Sequence, residues 1–119
     1  MRFAAIEAGL PVKMLRVVMR DYGFTLASLA GVIAPRRTLE RRLEGSERLN
    51  LDESERLARL MRILDLAMEI FKDRAHVREW LSNPKRTLAG RVPLDLIRTE
   101  EGGRVLEEKL LRLKYGFFA

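Results

Sequence analysis

The most regular feature of the sequence is a run of apolar residues at alternating spacings of four and three between Leu57 and Phe71. The run comprises Leu57, Met61, Leu64, Met68 and Phe71, and a second stripe beside it comprises Leu60, Ile63, Ala67 and Ile70. This spacing predicts an α-helix that is apolar around more than half of its girth. Such a helix has to lie centrally, with other elements on two of its sides. Just before it, Asn50 and Glu53 have the spacing of a capping box, which marks where the helix begins.

Strand-like alternation is scarce elsewhere, and most apolar residues again recur three or four apart, so the sequence predicts an all-α fold. We expect shorter helices over about 11–20, 25–34, 36–44 and 73–83, and a last helix that begins near residue 99. Thr25 and Thr99 are good N-caps for two of them. Gly102 and Gly103 cost the last helix about 1 kcal/mol each relative to alanine. Either that helix begins later, or another backbone passes close to these glycines.

Composition narrows the class of protein. The chain has 119 residues, 47% of them hydrophobic and 34% charged, which is typical of a globular protein with its own core. It has no cysteine, which excludes disulfides, thiolate zinc sites and cysteine nucleophiles. The first fifteen residues lack a long apolar run, and the longest uncharged segment, residues 22–35, is too short to span a bilayer. We therefore expect a cytoplasmic protein that does not enter membranes.

The chain is basic, with a formal net charge of +6, and residues 1–50 carry nine basic against five acidic side chains. Such an excess favours a nucleic-acid or acidic partner. Catalysis is poorly supported, because the single histidine, His76, has no evident nucleophile beside it and no glycine-rich phosphate loop follows a strand. We expect no enzymatic activity, no cofactor and no metal site.

The segment "VIAPRRTLERRLEG" carries the clearest functional pattern. Two short helices joined by a tight turn, the second rich in arginine, are typical of a helix-turn-helix motif that binds DNA. With Leu39 and Leu43 facing inward, the remaining side chains face outward or flank the helix. The predicted DNA-binding residues are Arg36, Arg37, Thr38, Arg41 and Arg42. The alternative is a solvated charged face in which Glu40 and Glu44 pair locally with the arginines.

From residue 24 to residue 119 the sequence also resembles the Xre/MbcA/ParS antitoxin family. The likeness rests on the order and spacing of several short motifs: Arg37-Thr38-Leu39, Glu53-Ser54, Trp80-Leu81 before Asn83-Pro84, Pro93-Leu94, Thr99-Glu100 with the following glycines, and Tyr115-Gly116. One departure concerns Phe71-Lys72-Asp73, where the family commonly has phenylalanine-glycine-aspartate.

The resemblance implies a two-part antitoxin of a type II toxin–antitoxin system. Residues 1–68 would form a helix-turn-helix domain that binds operator DNA and represses its own operon. Residues 69–119 would form a small helical domain that binds and neutralises a RES-domain toxin, which is an NAD-degrading enzyme. The resemblance also implies how the toxin is inhibited: the last helix and the tail would cover its NAD-binding cleft. The predicted toxin-binding residues are Leu113, Lys114, Tyr115, Gly116, Phe117, Phe118 and Ala119.

Three alternatives stay open at the level of sequence. The two tail phenylalanines could fold back onto this protein's own core. The chain could be a stand-alone repressor whose C-terminal part only dimerises. Its last helix could bind a membrane surface, although acidic residues balance its basic ones. In each DNA-binding version we expect a homodimer or a higher assembly, because such motifs commonly read paired half-sites and the central helix carries a second apolar stripe.

Overall fold

The computed structural model describes residues 2–45 and 48–116, with side chains from residue 4 onward. These residues form eight α-helices and one turn of 3-10 helix: α1 Arg2–Ala8, α2 Val12–Tyr22, α3 Leu26–Leu29, α4 Arg36–Glu44, α5 Leu51–Phe71, α6 Arg74–Ser82, the 3-10 turn Arg86–Leu88, α7 Pro93–Leu96 and α8 Glu100–Tyr115. The predicted all-α fold is confirmed. Within the described residues, no helix combines the length and apolar content needed to cross a bilayer.

The long helix α5 is the centre of the fold, as its two apolar stripes predict. Its capping box is formed: the Asn50 side chain accepts a hydrogen bond from the Glu53 backbone N–H at 2.8 Å, and the Asn50 N–H donates to Glu53 Oε1 at 2.9 Å. Helices α1, α6 and α8 all pack on α5. Leu60, Ile63 and Ala67 of the second stripe are at most 1% exposed. These three members of the stripe are therefore buried in the chain's own core and give no support to a dimer, whereas Ile70 is half-buried.

Helices α5 and α8 run side by side in the same direction. Near the start of α8, Arg59 Nη1 donates to the carbonyl oxygen of Ile97 at 2.8 Å. Near the far end, Lys114 Nζ of α8 donates to Glu69 Oε1 of α5. Burial lowers the pKa of the Arg59 guanidinium, whereas the hydrogen bond to Glu69 raises the pKa of Lys114. The two helices consequently end at the same side of the molecule.

The paired glycines in the first turn of α8 are explained by close contacts. A Cβ atom on Gly102 would lie 2.1 Å from the carbonyl oxygen of Leu96, and one on Gly103 would lie 2.5 Å from Arg59 Cδ. The first contact is with backbone, which cannot move aside as a flexible side chain can. Of the two alternatives drawn from the sequence, close passage of another backbone is therefore the right one, and α8 begins directly after its cap at Thr99.

Three parts of the helix pattern differ from the prediction. Helix α1 was not expected. Helix α3 has one turn rather than two: it ends at Leu29, with Ala30 as its C-cap, because Gly31 takes a left-handed φ of +81° and the Gly31 N–H donates to the Ala34 carbonyl oxygen at 2.8 Å. The segment between α6 and α8, expected to be a loop, contains the 3-10 turn and α7.

Lys72 closes α5 in an unusual backbone conformation. Its φ is +60°, and its N–H donates to the Met68 carbonyl oxygen at 2.9 Å. For a residue with a Cβ atom, the left-handed region costs about 1–2 kcal/mol, which glycine avoids. The glycine that the family commonly has at this position thus matches a geometry that the lysine adopts at a cost.

Candidate DNA-binding and partner-binding surfaces

Helix α4 exposes a basic face above a buried anchor. Leu39 is 1% exposed, and it holds the inner side of α4 in the core. Arg36, Arg37 and Arg41 are exposed on the outer side, whereas Thr38 is half-buried. The preceding helix α3 begins at a capping box in which Thr25 accepts from the Ser28 N–H at 3.1 Å. Together α3, its turn and α4 have the arrangement of a helix-turn-helix with three arginines outward.

Arg42 has a different environment from the other predicted DNA-binding residues. Its Nε donates to Glu53 Oε1 at 3.0 Å and its Nη2 to Oε2 at 3.4 Å. The side chains of Arg42 and Glu53 are only 16% and 5% exposed. Because Glu53 also takes part in the capping box of α5, this two-bond ion pair between Arg42 and Glu53 joins the side of α4 directly to the start of α5. The structure therefore brings Arg36, Arg37 and Arg41 together outside and holds Arg42 at the helix interface.

A second arginine closes the end of α4. Arg16 on α2 donates from Nη2 to the carbonyl oxygens of Leu43 and Gly45, each at 2.6 Å. The last carbonyls of a helix lack partners within it, and a cation there also opposes the negative end of the helix dipole. The role of Arg16 was not predicted, because no pattern in the sequence marks a contact between residues that are 27 positions apart in the chain.

Among the described residues, one exposed ion pair within α4 fits the alternative of a solvated charged face. Arg36 Nε lies 3.8 Å from Glu40 Oε2, and the two side chains are 60% and 51% exposed. An ion pair in such a position contributes between zero and about 1 kcal/mol. A phosphate approaching Arg36 can therefore displace this contact at little cost.

Helix α8 carries most of the large apolar side chains that are exposed among the described residues. The large apolar side chains that are at least 36% exposed are Leu51, Val105, Leu111, Leu113 and Tyr115, and four of these five belong to α8. Leu111 and Tyr115 are one helical turn apart and point away from the buried side, which is formed by Leu106 and Leu110. Their exposure, 36% and 62%, leaves an apolar pair in solvent on an otherwise charged face. We call Leu111 and Tyr115 the outer pair.

The predicted toxin-binding residues are placed only in part. Leu113, Lys114, Tyr115 and Gly116 are all exposed at the end of α8, and Gly116 closes the helix with a φ of +76°. The predictions for Phe117, Phe118 and Ala119 lie outside the described residues. Leu111 was not among the predicted residues, although its spacing of four from Tyr115 was a readable signal.

The aromatic cluster between α5 and α6 has a structural role. The ring centroid of His76 lies 4.5 Å from that of Phe71, and the Trp80 ring centroid lies 5.7 Å from that of Phe71. Lys85 Nζ lies 5.1 Å from the centroid of the Trp80 ring. These contacts close the end of α5 against α6. Trp80 is half-buried rather than a full member of the core.

Two family models match the chain, one for each surface. Residues 1–62 match the antitoxin Xre-like helix-turn-helix domain, which includes α4. Residues 66–116 match the antitoxin Xre/MbcA/ParS C-terminal toxin-binding domain, which includes α8. The chain belongs to the Xre/MbcA/ParS antitoxin family. Its N-terminal helix-turn-helix and its C-terminal helical part are therefore family features as well as features of this fold.

Curated relatives carry the same designation. Antitoxin Xre of Pseudomonas putida is 36% identical over 85 residues, which is 71% of this chain and 54% of the relative. Antitoxin Xre of Yersinia enterocolitica is 36% identical over 86 residues, which is 71% of this chain and 58% of the relative. Antitoxin Xre of Photorhabdus laumondii is 28% identical over 117 residues, with 95% and 78% covered. The chain thus spans little more than half the length of the first two relatives.

A solved structure has a similar fold. A chain in the crystal structure of the M. tuberculosis MbcT–MbcA toxin–antitoxin complex superimposes with a TM-score of 0.66 at 28% sequence identity. The match covers 91% of this chain and 96% of that one. The likeness extends across both units, because a match of that coverage includes α4 and α8 alike.

Proposed function

We propose that this chain is the antitoxin of a type II toxin–antitoxin system: it neutralises a RES-domain, NAD-degrading toxin and represses its own operon by binding operator DNA. The observation that carries the proposal is the presence of two chemically different open surfaces on one member of the family. Helix α4 offers arginines, and α8 offers the outer pair. Neither surface needs a catalytic group, and the proposed action is binding alone.

For DNA, the proposal assigns α4 to the major groove, where outward side chains of the second helix of the motif meet base edges and phosphates. Arg36, Arg37 and Arg41 would make these contacts, with the hydroxyl of Thr38 beside them. Arg42 takes a different role, because its guanidinium already holds Glu53 at 3.0 Å. We assign it to the orientation of α4 on the body of the protein.

For the toxin, the proposal assigns the last turns of α8 and the tail that follows. Partly apolar aromatic side chains are preferred anchors in protein interfaces, and a few of them commonly carry most of the binding energy. Leu111, Leu113 and Tyr115 are exposed and near one another along α8. Together with Phe117 and Phe118, they would cover the NAD-binding cleft of the toxin and exclude its substrate.

We place the division between the two parts at residues 68 and 69. The long helix α5 spans Leu51–Phe71 and therefore runs through this boundary. The two parts would share one rigid element rather than a linker. We further propose that a dimer binds the operator, since half-sites of such motifs lie one helical turn apart. A sedimentation experiment at micromolar concentration that found only monomer would contradict the dimer.

The proposed function is tested by co-expression with a RES-domain toxin, and a toxin gene found directly beside this one would be the candidate to use. We expect the two proteins to co-purify and the cells to keep their NAD and their growth. A chain truncated before Tyr115 should lose both effects, yet bind a DNA fragment from upstream of its own gene as the full chain does. If the truncated chain still protects cells, the end of α8 and the tail are not the inhibitory element. If truncation only changes oligomeric state, the stand-alone repressor becomes the better description.

A further inference from the structure

The positive charge of the first fifty residues is divided equally between two helices. Residues 1–50 have nine basic and five acidic side chains. Helix α4 accounts for half of the excess with four arginines and two glutamates, and α2 accounts for the other half with three basic side chains and one acidic. The proposed function uses the charge of α4 alone. The equal charge of α2 therefore needs an explanation of its own.

The three basic side chains of α2 lie on one side of the helix. Lys13, Arg16 and Arg20 are separated by three and four residues, which places them within an arc of about 60° around the helix axis. All three are exposed, whereas Leu15 and Val18 of the same helix are buried. We call Lys13, Arg16 and Arg20 the basic face of α2. It extends for about 10 Å, because each residue adds about 1.5 Å to the length of a helix.

Arg16 fixes the position of the basic face relative to α4. Its Nη2 donates to the carbonyl oxygens of Leu43 and Gly45 at the end of α4, each at 2.6 Å. Nη2 has two N–H groups, and these two bonds occupy both. The other N–H groups, on Nε and Nη1, make no hydrogen bond within the described part of the chain, and the side chain is exposed. Arg16 can therefore hold the end of α4 and donate to a further acceptor at the same time.

The two cations on either side of Arg16 are also available to an anion. Lys13 makes no hydrogen bond or ion pair with any described residue. Arg20 Nε lies 3.2 Å from Asp21 Oδ1, but the two side chains are 74% and 34% exposed. An ion pair that is so exposed contributes at most about 1 kcal/mol. A phosphate can therefore displace Asp21 from Arg20 at little cost.

We propose that the basic face of α2 binds the phosphate backbone of the operator, beside the groove that α4 enters. The inference rests on the proposed function and adds a second DNA-contact surface to it. The major groove is about 12 Å wide, and a helix with its side chains is about 10–12 Å across. Helix α4 therefore fills the groove, and side chains beside its end meet the strand that borders the groove. Over the length of the basic face, that strand carries about three phosphates for the three cations.

Contacts to phosphates have a recognisable effect on binding. They strengthen binding without carrying sequence information, because every base pair is joined to the same phosphates. The basic face of α2 should therefore favour operator and unrelated duplex DNA by the same factor. The preference for the operator should come from α4, whose outward side chains meet base edges.

The test uses the double variant Lys13→Ala with Arg20→Ala, because neither side chain supports α4. Arg16 is kept, since its loss would also release the last carbonyls of that helix. The control is Arg86→Ala with Arg91→Ala, which removes the same charge from exposed positions in the C-terminal part. Fluorescence anisotropy over a series of salt concentrations measures binding to a fragment from upstream of the gene and to an unrelated duplex. Circular dichroism melting shows whether each variant is folded.

We expect the α2 variant to bind both DNAs more weakly by the same factor. Its salt dependence should flatten by about 1.8 in slope, which is about 0.9 for each of two lost phosphate contacts. The control pair should leave both slopes nearly unchanged. An unchanged slope in the α2 variant would overturn the proposal, as would an equal flattening by the control pair. A loss confined to the operator would overturn it too, because phosphates do not distinguish sequences.

Ethylation interference locates the contacts on the DNA. Ethylation removes the charge of a single phosphate, so a phosphate that the protein contacts is detected by the binding that is lost. With the natural chain we expect interference at phosphates that border the groove occupied by α4. Part of this interference should disappear in the α2 variant and persist in the control pair. An identical pattern in the natural chain and the α2 variant would show that α2 does not contact the backbone.

The unrelated duplex separates this inference from the proposed operator binding. A natural chain that binds both DNAs equally would count against an operator, and hence against that part of the proposed function. A flatter slope of the α2 variant on the unrelated duplex would still support the basic face. A natural chain that prefers its operator, combined with an α2 variant of unchanged slope, would keep the proposed function and overturn the inference.

Discussion

Helices α4 and α8 both pack against the body of the fold with one face in solvent, yet they are held by different forces. Helix α4 has one fully buried side chain, Leu39, and is held largely by polar contacts: the Arg42–Glu53 pair and the Arg16 bonds to its last carbonyls. Helix α8 buries Leu106 and Leu110 completely and lies flush on its neighbours at its glycines. The difference extends to the exposed faces, which are charged on α4 and partly apolar on α8.

This contrast indicates how each surface should respond to its surroundings. Binding through arginines is long-ranged and weakens steeply with salt, because each phosphate contact releases counterions. Binding through buried apolar area is short-ranged and roughly proportional to the area removed from water. The two activities proposed for this chain should therefore be separable by ionic strength as well as by mutation.

The largest expected effect tests the packing of α8. Leu106→Ala should lower the free energy of unfolding by about 3 kcal/mol, because it removes a fully buried side chain and leaves a cavity. Val105→Ala is the matched control on the adjacent, 39% exposed position and should cost less than about 1 kcal/mol. Urea denaturation measures both. Equal losses would mean that α8 is not held by its inner face.

The next effect tests the polar anchoring of α4. Glu53→Ala removes the partner of Arg42 and the cap of α5 together, so we expect a loss of about 3 kcal/mol in the free energy of unfolding. Its control is Glu40→Ala, which breaks only the exposed contact with Arg36 and should change stability by less than about 1 kcal/mol. A Glu53 variant as stable as the natural chain would show that packing, not this pair, holds α4.

A third prediction concerns the outer pair. Leu111→Ala and Tyr115→Ala should each weaken toxin binding by about 2 kcal/mol, or about thirtyfold, and leave operator binding unchanged. Arg104→Ala, an exposed charge on the same helix, is the control and should have little effect. Titration calorimetry with the purified toxin at two salt concentrations measures the change. Unchanged affinity in both variants would remove the outer pair from the interface.

A fourth prediction concerns the outward arginines. The double variant Arg37→Ala with Arg41→Ala should bind operator less tightly, and its salt dependence should flatten by about 0.9 in slope per lost phosphate contact. Arg86→Ala with Arg91→Ala removes the same charge from exposed positions in the C-terminal part. Anisotropy titrations over a series of salt concentrations give each slope. If the control pair flattens the slope as much, the effect is general charge rather than contact by α4.

The smallest effect concerns Lys72, which closes the end of α5. Lys72→Gly should raise the free energy of unfolding by about 0.5–1 kcal/mol, since glycine adopts the left-handed φ of +60° without the cost of a Cβ atom. Thermal melting detects a shift of that size. The gain should appear without any change in toxin or operator binding, because the exposed Lys72 side chain belongs to neither surface. A loss of stability would contradict the strain assigned to this residue.

Much of the fold was predictable because its signals are local. The caps at Asn50 and Thr99 and the spacing of apolar residues located α5, α6 and α8. Helix α1 was missed because no cap or long periodic pattern marks it. Helix α3 was taken as longer because Ile33 continues its apolar spacing. Ile33 is indeed buried, but it lies in the turn after α3 and not in the helix.

The candidate surfaces were predictable in part for the same reason. The inward position of Leu39 determines which arginines on α4 face outward, because residues on the same helix have fixed angular positions around its axis. The partner of Arg42 could not be predicted, because Glu53 is 11 residues away on another helix and its approach depends on how the two helices cross. The position of α2 beside the end of α4 is equally non-local, because Arg16 meets the carbonyl oxygens of Leu43 and Gly45 across 27 and 29 residues.

Helix α4 is held in place by side chains that are not on its exposed face, and this bears on which of its residues can change in sequence. A helix of nine residues is marginal in isolation and depends on tertiary contacts for its shape. Here those contacts come from Leu39, Arg42 and the carbonyls at its end, so Arg36, Arg37 and Arg41 are free to vary without weakening the support of the helix. If α4 reads operator DNA as proposed, changes at these three positions can alter the operator that is bound while the support of the helix stays the same.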